Sequence, residues 1–225
     1  MSSTVKLYTK DIHGYFINPD SYSFRRSSIE KTINSIGLAS VTRIADNYGS
    51  LYKSNLMSHA HLMLIDRAIV DNHFPFLLLE DDATLMQKFP DYFNVPEKAD
   101  LIYLGGSLCN YKGKKHDLFI KDYDPYYYRV YYMLSAHAIL VPFLQGALII
   151  KKACEKAIQN NDYNDIYLAL VSNDHVFLTP KQGNYFYQED NLTRQVTKFK
   201  WIDFPFKDLP CRFYPIGKND CIRGE

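Results

Sequence analysis

Three acids in a row, Glu80, Asp81 and Asp82, follow directly on four apolar residues, Phe76 to Leu79, in the stretch "PFLLLEDDATLMQKFP". Adjacent carboxylates repel one another, and ending a buried segment on them is costly unless positive charge meets them. If the chain stays extended here, Glu80 and Asp82 point to one side and Asp81 to the other. Two carboxylates beside a crevice suit a hard divalent cation, Mg²⁺ or Mn²⁺. Such ions take oxygen ligands and often use one or two carboxylates together with phosphate oxygens. The competing reading is that the acids cap a following helix, "ATLMQKF", through its N-terminal amides.

Other residues could serve the same chemistry. Arg25 and Arg26 stand just before a segment with helix signals, and two guanidinium groups at a helix N-terminus suit a diphosphate. The alternative is a solvated surface pair. Arg43, Asp46 and Asn47 follow or end the strand candidate "VTRIA" and could reach a nucleotide. His59 and His61 look like a ligand pair, but two residues on a helix is about 200° of rotation, so they cannot chelate one ion together. His137, in "SAHAIL", reads as a satisfied core or cleft histidine. Asp174 and His175, in "SNDHVF", precede an apolar strand. Asp162 and Asp165 lie in "NNDYNDIYLAL", where Asp165 could also cap a helix. The tyrosine cluster "KDYDPYYYRVYYM" could stack on sugars or bases, but packing against the core is the expectation.

The elements that must position these residues alternate in type. "VKLYT", "GYFIN" and "VTRIA" read as short strands. "SSIEKTINSIGL" reads as a helix, with Ser27 and Glu30 fitting a capping box, Ile29, Ile33 and Ile36 forming one stripe, and Gly37 ending it. Residues 54–70 and 144–159 are further helices. "FLLL" and "DLIYL" are continuous apolar runs, as expected of strands covered on both faces, and "HVFLT" and "NYFYQ" are late strands. Alternation of this kind predicts an α/β fold with a mainly parallel central sheet flanked by helices. Ligands then gather beyond the carboxyl ends of the strands, where Glu80 to Asp82 would stand.

Composition narrows the function classes. The chain has 225 residues, enough for one large domain, and it balances 26 Lys and Arg against 25 Asp and Glu. That near-neutrality argues against bulk affinity for nucleic acid. Cys109, Cys154, Cys211 and Cys221 show no metal-ligand spacing and read as reduced thiols of a cytoplasmic protein, although Cys211 and Cys221 could pair under oxidising conditions. The N-terminus has no apolar signal core, and the longest apolar stretch is interrupted by Pro142, Gln145 and Gly146, so neither a secretory signal nor a transmembrane segment is expected. The sequon at 191–193 is then expected to be idle.

"FLLLEDDA" followed by "ADLIYLGG" resembles the core of GT-A-fold glycosyltransferases. It is most similar to the family 25 lipopolysaccharide-type enzymes and their relatives in large DNA viruses. The Arg-bearing segment "YFINPDSYSFRRSSIEKTINSIGL" and the helix "SNLMSHAHLMLIDRAI" fit the same order of parts, over roughly residues 14–190. The resemblance implies one GT-A-like domain over residues 1–225, with a nucleotide-sugar half to about 110, an acceptor half over 111–200 and an irregular tail over 201–225. It also implies a metal-dependent transferase that moves a sugar from a nucleotide sugar, by analogy a UDP-sugar, to a glycan or glycoprotein acceptor. Asp82 would bind Mn²⁺ or Mg²⁺, with Glu80 and Asp81 around it and near the sugar or ribose. Arg25, Arg26 and Arg43 would face the nucleotide. Asp174 would be the general base of an inverting transfer, and His175 a metal or phosphate contact. A non-catalytic binding module and a metal-dependent phosphodiesterase are the alternatives.

Overall fold

In the computed structural model, residues 3–45, 53–108, 120–131 and 133–188 are described. Asp46, Asn47, Cys109, Cys211, Cys221, the sequon and the 201–225 tail lie outside them. In chain order the strands are β1 (Thr4–Tyr8), β2 (His13–Ile17), β3 (Ser40–Ile44), β4 (Phe76–Glu80), β5 (Ala83–Leu85) and β6 (Tyr92–Pro96). They continue as β7 (Leu101–Leu108), β8 (Ile120–Asp122), β9 (Tyr127–Val130), β10 (Met133–Val141), β11 (Phe177–Pro180) and β12 (Phe186–Gln188). The α-helices are α1 (Ser23–Ile36), α2 (Lys53–Val70), α3 (Leu144–Asn160) and α4 (Asn164–Val171).

Eight strands form the central sheet, in the order β3-β2-β4-β10-β7-β11-β9-β8, with the pairs β1-β6 and β5-β12 beside it. The expected α/β sheet flanked by helices is present, but it is mixed rather than mainly parallel. β2 runs parallel to β3 and β4, and β11 runs parallel to β7. The remaining neighbours in this sheet, β4-β10, β10-β7, β11-β9 and β9-β8, are antiparallel. Since β10 reverses direction between β4 and β7, those two strands still point the same way.

The alternation of side chains along each strand divides the core between two faces. Tyr15, Ile17, Phe76, Leu78, Leu101 and Tyr103 pack with α2, α3 and α4 on one side. Phe16, Leu77, Leu79, Ile102 and Leu104 pack with Ile29, Ile33 and Ile36 of α1 on the other. The apolar run of β4 is fully buried at Phe76 to Leu79 because both faces are covered. In α3 the stripe Ala147, Ile150, Cys154 and Ala157 faces inward, which leaves Cys154 a buried free thiol.

Three local expectations change. α1 starts at Ser23, four residues before the supposed capping box, and its N-cap residue Tyr22 makes no side-chain cap bond. Its end is as expected, with Gly37 in the left-handed region at φ 78°. No helix follows Glu80 to Asp82: residues Ala83–Leu85 form β5 and pair with β12, so the helix-capping reading of the acids falls.

At the amino end of β2, the His13 and His73 rings stack at 3.8 Å, 4° from parallel. His73 Nδ1 hydrogen-bonds the Tyr15 hydroxyl at 2.7 Å, and His13 Nδ1 hydrogen-bonds Ser40 Oγ at 2.8 Å. Burial, then the charge His73 can carry, lowers the pKa of His13 below its ordinary 6.5, against a smaller opposing effect of Asp71. The native state therefore resists a proton that the unfolded chain accepts. Stability is complete above pH 6.5 and falls as the pH drops below it. Urea midpoints at pH 7.5 and pH 5 should show this loss, and His13→Gln should reduce the difference between them. A midpoint difference that His13→Gln leaves unchanged would remove the stacked pair as its source.

Candidate active site

β4 ends level with its parallel neighbour β2 and with β3 beyond it. The register pairs Ile17 with Glu80 and with Ile44, so Asn18 follows β2 where Asp81 follows β4. Asn18 is fully buried and acts as the hub. Its backbone N–H donates to Ile44 O at 3.1 Å, and its side-chain amide donates to Asp81 Oδ2 at 2.8 Å and to Tyr22 O at 3.0 Å. Its Oδ1 accepts from Arg26 Nε and from Arg43 Nε, each at 3.3 Å. Arg43 Nη2 also reaches Asn18 O at 2.8 Å, and Asp20 bridges the Arg26 and Arg43 guanidinium groups.

Arg25 provides positive charge at the end of β4. Its Nη1 lies 3.0 Å from Asp81 Oδ1 and 3.3 Å from Asp82 Oδ2, with all three side chains largely buried. Burial opposes the charge on Arg25. The hydrogen bond to Asp81 and the charges of Asp82 and Asp81 overcome that effect and raise its pKa. Both Arg25 and Arg26 sit in the first turn of α1 rather than ahead of it. The side-chain alternation stops at Glu80, because the chain turns there, so Asp81 and Asp82 both reach Arg25 instead of pointing apart.

Glu80 faces the α2 and α4 side. Burial raises its pKa well above the ordinary carboxyl value, and the charges of Asp82, Asp165 and Asp81 add to this, with Arg25 acting in the opposite sense. His61, on α2, is buried and puts Nε2 3.9 Å from Glu80 Oε1. Its other nitrogen, Nδ1, donates to Met57 O at 2.9 Å, which leaves Nε2 as a bare acceptor. Desolvation lowers the pKa of His61, so the ring stays neutral. Asp165, in the first turn of α4, is close enough to act electrostatically on both Glu80 and the fully buried Tyr103 of β7. His61 Nε2 and Tyr103 Oη have no hydrogen-bond partner among the described residues, so two buried polar atoms flank these carboxyl groups without satisfaction.

A divalent cation fits this donor set. Asp81 and Asp82 share the guanidinium of Arg25, and Glu80, raised in pKa first by its burial, also feels the charges of Asp82, Asp165 and Asp81. Among the described residues no group of three His, Cys, Asp or Glu side chains forms a ready-made cage. A divalent ion held here would have to complete its coordination with other oxygens, such as those of a phosphate.

Arg25, Arg26, Arg43, Glu80, Asp81 and Asp82 thus converge at one edge of the sheet. Asp174 and His175 do not. They precede β11, and Phe177 pairs with Leu101 at the start of β7, level with Phe76 at the start of β4. Their edge is the amino edge, roughly 20 Å along the strand direction from Glu80 at about 3.3 Å per residue. His175 lies 3.7 Å from Asp100, whose Oδ2 also accepts from Val176 N at 2.8 Å. Neither residue can share an ion or a substrate atom with Asp82. His137 is a satisfied core residue: it is fully buried, its Nε2 donates to Phe186 O at 3.3 Å, and it fills the space that Gly105 leaves open. Asn18 and Tyr103 went unnoticed in the sequence. Asn18 had a signal, since a polar residue ends "GYFIN" just as the acids end "FLLL".

The fold and edge define an α/β protein with a mixed central sheet and a charged carboxyl-edge site. No protein-family model matches the chain, and no curated protein matches it. Among solved structures, it is similar to a glycosyltransferase involved in the glycosylation of the major capsid of PBCV-1. The match has 9% identity and a TM-score of 0.48 and covers 82% of this chain and 95% of that one. It is also similar to the CTP:phosphocholine cytidylyltransferase of Streptococcus pneumoniae, at 13% identity and a TM-score of 0.40, covering 84% and 78%. Among the described residues no helix is long and apolar enough to cross a membrane.

Removing Arg25 leaves Asp81 and Asp82 buried without their partner. Arg25→Met should cost about 2–4 kcal/mol in urea unfolding, at or below the range for breaking a buried pair because Arg25 keeps some contact with solvent. Asp81→Asn in the Arg25→Met background should cost less than it does in the parent, because in the parent it also breaks the ion pair with Arg25. Additive costs would mean that the pair is not coupled.

Proposed function

We propose that this protein is a metal-dependent glycosyltransferase. It moves a sugar from a nucleoside-diphosphate sugar, UDP-linked, to a hydroxyl of a glycan or glycoprotein acceptor. The observation that carries this reading is the meeting of Arg25, Arg26 and Arg43 with Glu80, Asp81 and Asp82 at one edge of the sheet. A diphosphate needs cationic groups and N–H donors, and the first turn of α1 offers both. Asp82 holds the Mn²⁺ or Mg²⁺ ion, with Glu80 beside it. When bound, the ion stabilises the negative charge that builds on the departing diphosphate.

The transfer breaks the bond from the anomeric carbon to the diphosphate and forms a bond to the acceptor oxygen, whose proton must leave. Asp165 takes that proton in this reading. It lies in the first turn of α4, near enough to act electrostatically on Glu80 and on Tyr103. His175 takes no part, because it lies at the far edge.

Calorimetry of UDP binding with Mn²⁺ and with EDTA tests the metal: binding should be tight only with Mn²⁺, and equal affinity would overturn the metal role. Asp82→Asn should lose the Mn²⁺-dependent part while circular dichroism stays unchanged.

A general base contributes roughly 10²–10⁴-fold. Asp165→Asn should lower kcat by about that factor with the Kd for UDP nearly unchanged, whereas Asp174→Asn should behave like the parent. A large loss in Asp174→Asn with Asp165→Asn active, or a product of retained anomeric configuration, would remove Asp165 as the base.

A further inference from the structure

A cavity opens on the face opposite α2, α3 and α4. Its volume is about 210 Å³. Tyr127 and Tyr185 are buried and form the floor, Tyr92 and Tyr126 form walls, and Asn94 and Gln182 lie at the rim. Tyr92 is 42% exposed and Tyr126 is 55% exposed, which is a large aromatic area to leave against water. The walls are held from behind. Asp124 Oδ1 accepts from the backbone N–H groups of Tyr126 and Tyr127, each at 2.8 Å, and Lys181 N–H donates to Tyr126 O at 2.9 Å. The exposed rings are therefore presented by fixed backbone.

The lining is electrically neutral. Its one charged group is Lys181, whose Nζ pairs with Asp122 Oδ1 at 2.5 Å. Lys6 Nζ lies 3.6 Å from the centre of the Tyr92 ring, so one face of that wall is covered by a cation and the open aromatic face is that of Tyr126. Flat aromatic faces, two side-chain amides and no net charge suit a neutral ring with an apolar face and hydroxyls around its edge. The volume suits one such ring rather than an extended ligand. Pro180 ends β11, and β11 points the same way as β4, so the wall made by Pro180 stands toward the carboxyl edge, while Tyr92 pairs with Tyr8 of β1.

We propose that the cavity between Tyr92 and Tyr126 binds a neutral pyranose unit of a saccharide, with a sugar face on Tyr126 and hydroxyls on Asn94 and Gln182. Saccharide binding here stands by itself. The cavity is not the subsite of the reacting hydroxyl in the transferase reading above, because Glu80 and Asp165 lie on the other face of the sheet.

The test uses the full chain and the methyl glycosides of glucose, galactose, mannose, xylose, fucose and rhamnose. Saturation-transfer NMR should show at least one of them bound, with the apolar face of the ring closest to protein. Tyr126→Ala should weaken that glycoside about tenfold or more, and Gln182→Ala should weaken it less. Tyr126 contributes its backbone, not its ring, to the hydrogen bonds around it, so both variants should fold. Mn²⁺-dependent UDP affinity should be unchanged in both, which separates this cavity from the acid edge. If no glycoside binds, if binding survives Tyr126→Ala, or if a proline-rich peptide binds at Tyr126 in place of the glycosides, the proposal is overturned. Loss of UDP binding in the parent would instead overturn the transferase reading and leave the saccharide result standing.

Discussion

A fully buried strand that ends on three carboxyl groups is the constraint around which this structure is arranged. Leu77, Leu78 and Leu79 gain from exclusion of water, and the next residues would forfeit that gain if their charge were left unmet. Arg25 meets Asp81 and Asp82, and Asn18 closes the remaining side of Asp81. The position of α1 follows from this. Its isoleucine stripe settles on the sheet while its first turn delivers two arginines to the strand ends. Asp20 and Asn18 then tie Arg26 and Arg43 to the same edge, so helix and strands share one polar seam above an apolar core.

Polarity is unevenly distributed along that seam. Towards α1 each carboxylate has a donor at hydrogen-bond distance. Towards α2 and α4, the bare nitrogen of a neutral imidazole lies 3.9 Å from Glu80, and Asp165 adds to the negative field there. One side is thus built for stability and the other is held at electrostatic cost. Buried polar groups kept at such cost are where binding and chemistry are expected, because a ligand can satisfy what the protein leaves unsatisfied.

Much of this was legible in the sequence, and the exceptions have physical causes. Continuous apolar runs marked β4 and β7, and the isoleucine spacing with Gly37 marked the body and end of α1. The rule that ligands gather at carboxyl ends of strands put Glu80 to Asp82, Arg43 and the start of α1 together. The direction of β10 was not legible, since an apolar run carries no sign of which way its neighbours point. Asp174 and His175 were misplaced because a junction of polar and apolar residues was treated as equivalent in both orders. Residues that precede a strand stand at its amino edge, and residues that follow it stand at the carboxyl edge. In this fold only the second kind share the edge of Glu80. The start of α1 was read too late because Ser27 and Glu30 match a capping pattern inside a helix that begins at Ser23.

The reversed strand β10 also governs how the chain comes together during synthesis. β4 is complete at residue 80, but one flank waits for residues 133–141, and the adjoining flank of β7 waits for the same segment. Until that segment leaves the ribosome, two apolar strands keep open hydrogen-bonding edges, the kind of surface on which nascent chains pair wrongly with one another. Closing the gap needs contacts between segments more than fifty residues apart, which makes sheet closure slow relative to helix formation. The shared gap between β4 and β7 therefore stays open until residue 141 has been made, and the other edge of β7 stays open until β11 follows at residues 177–180.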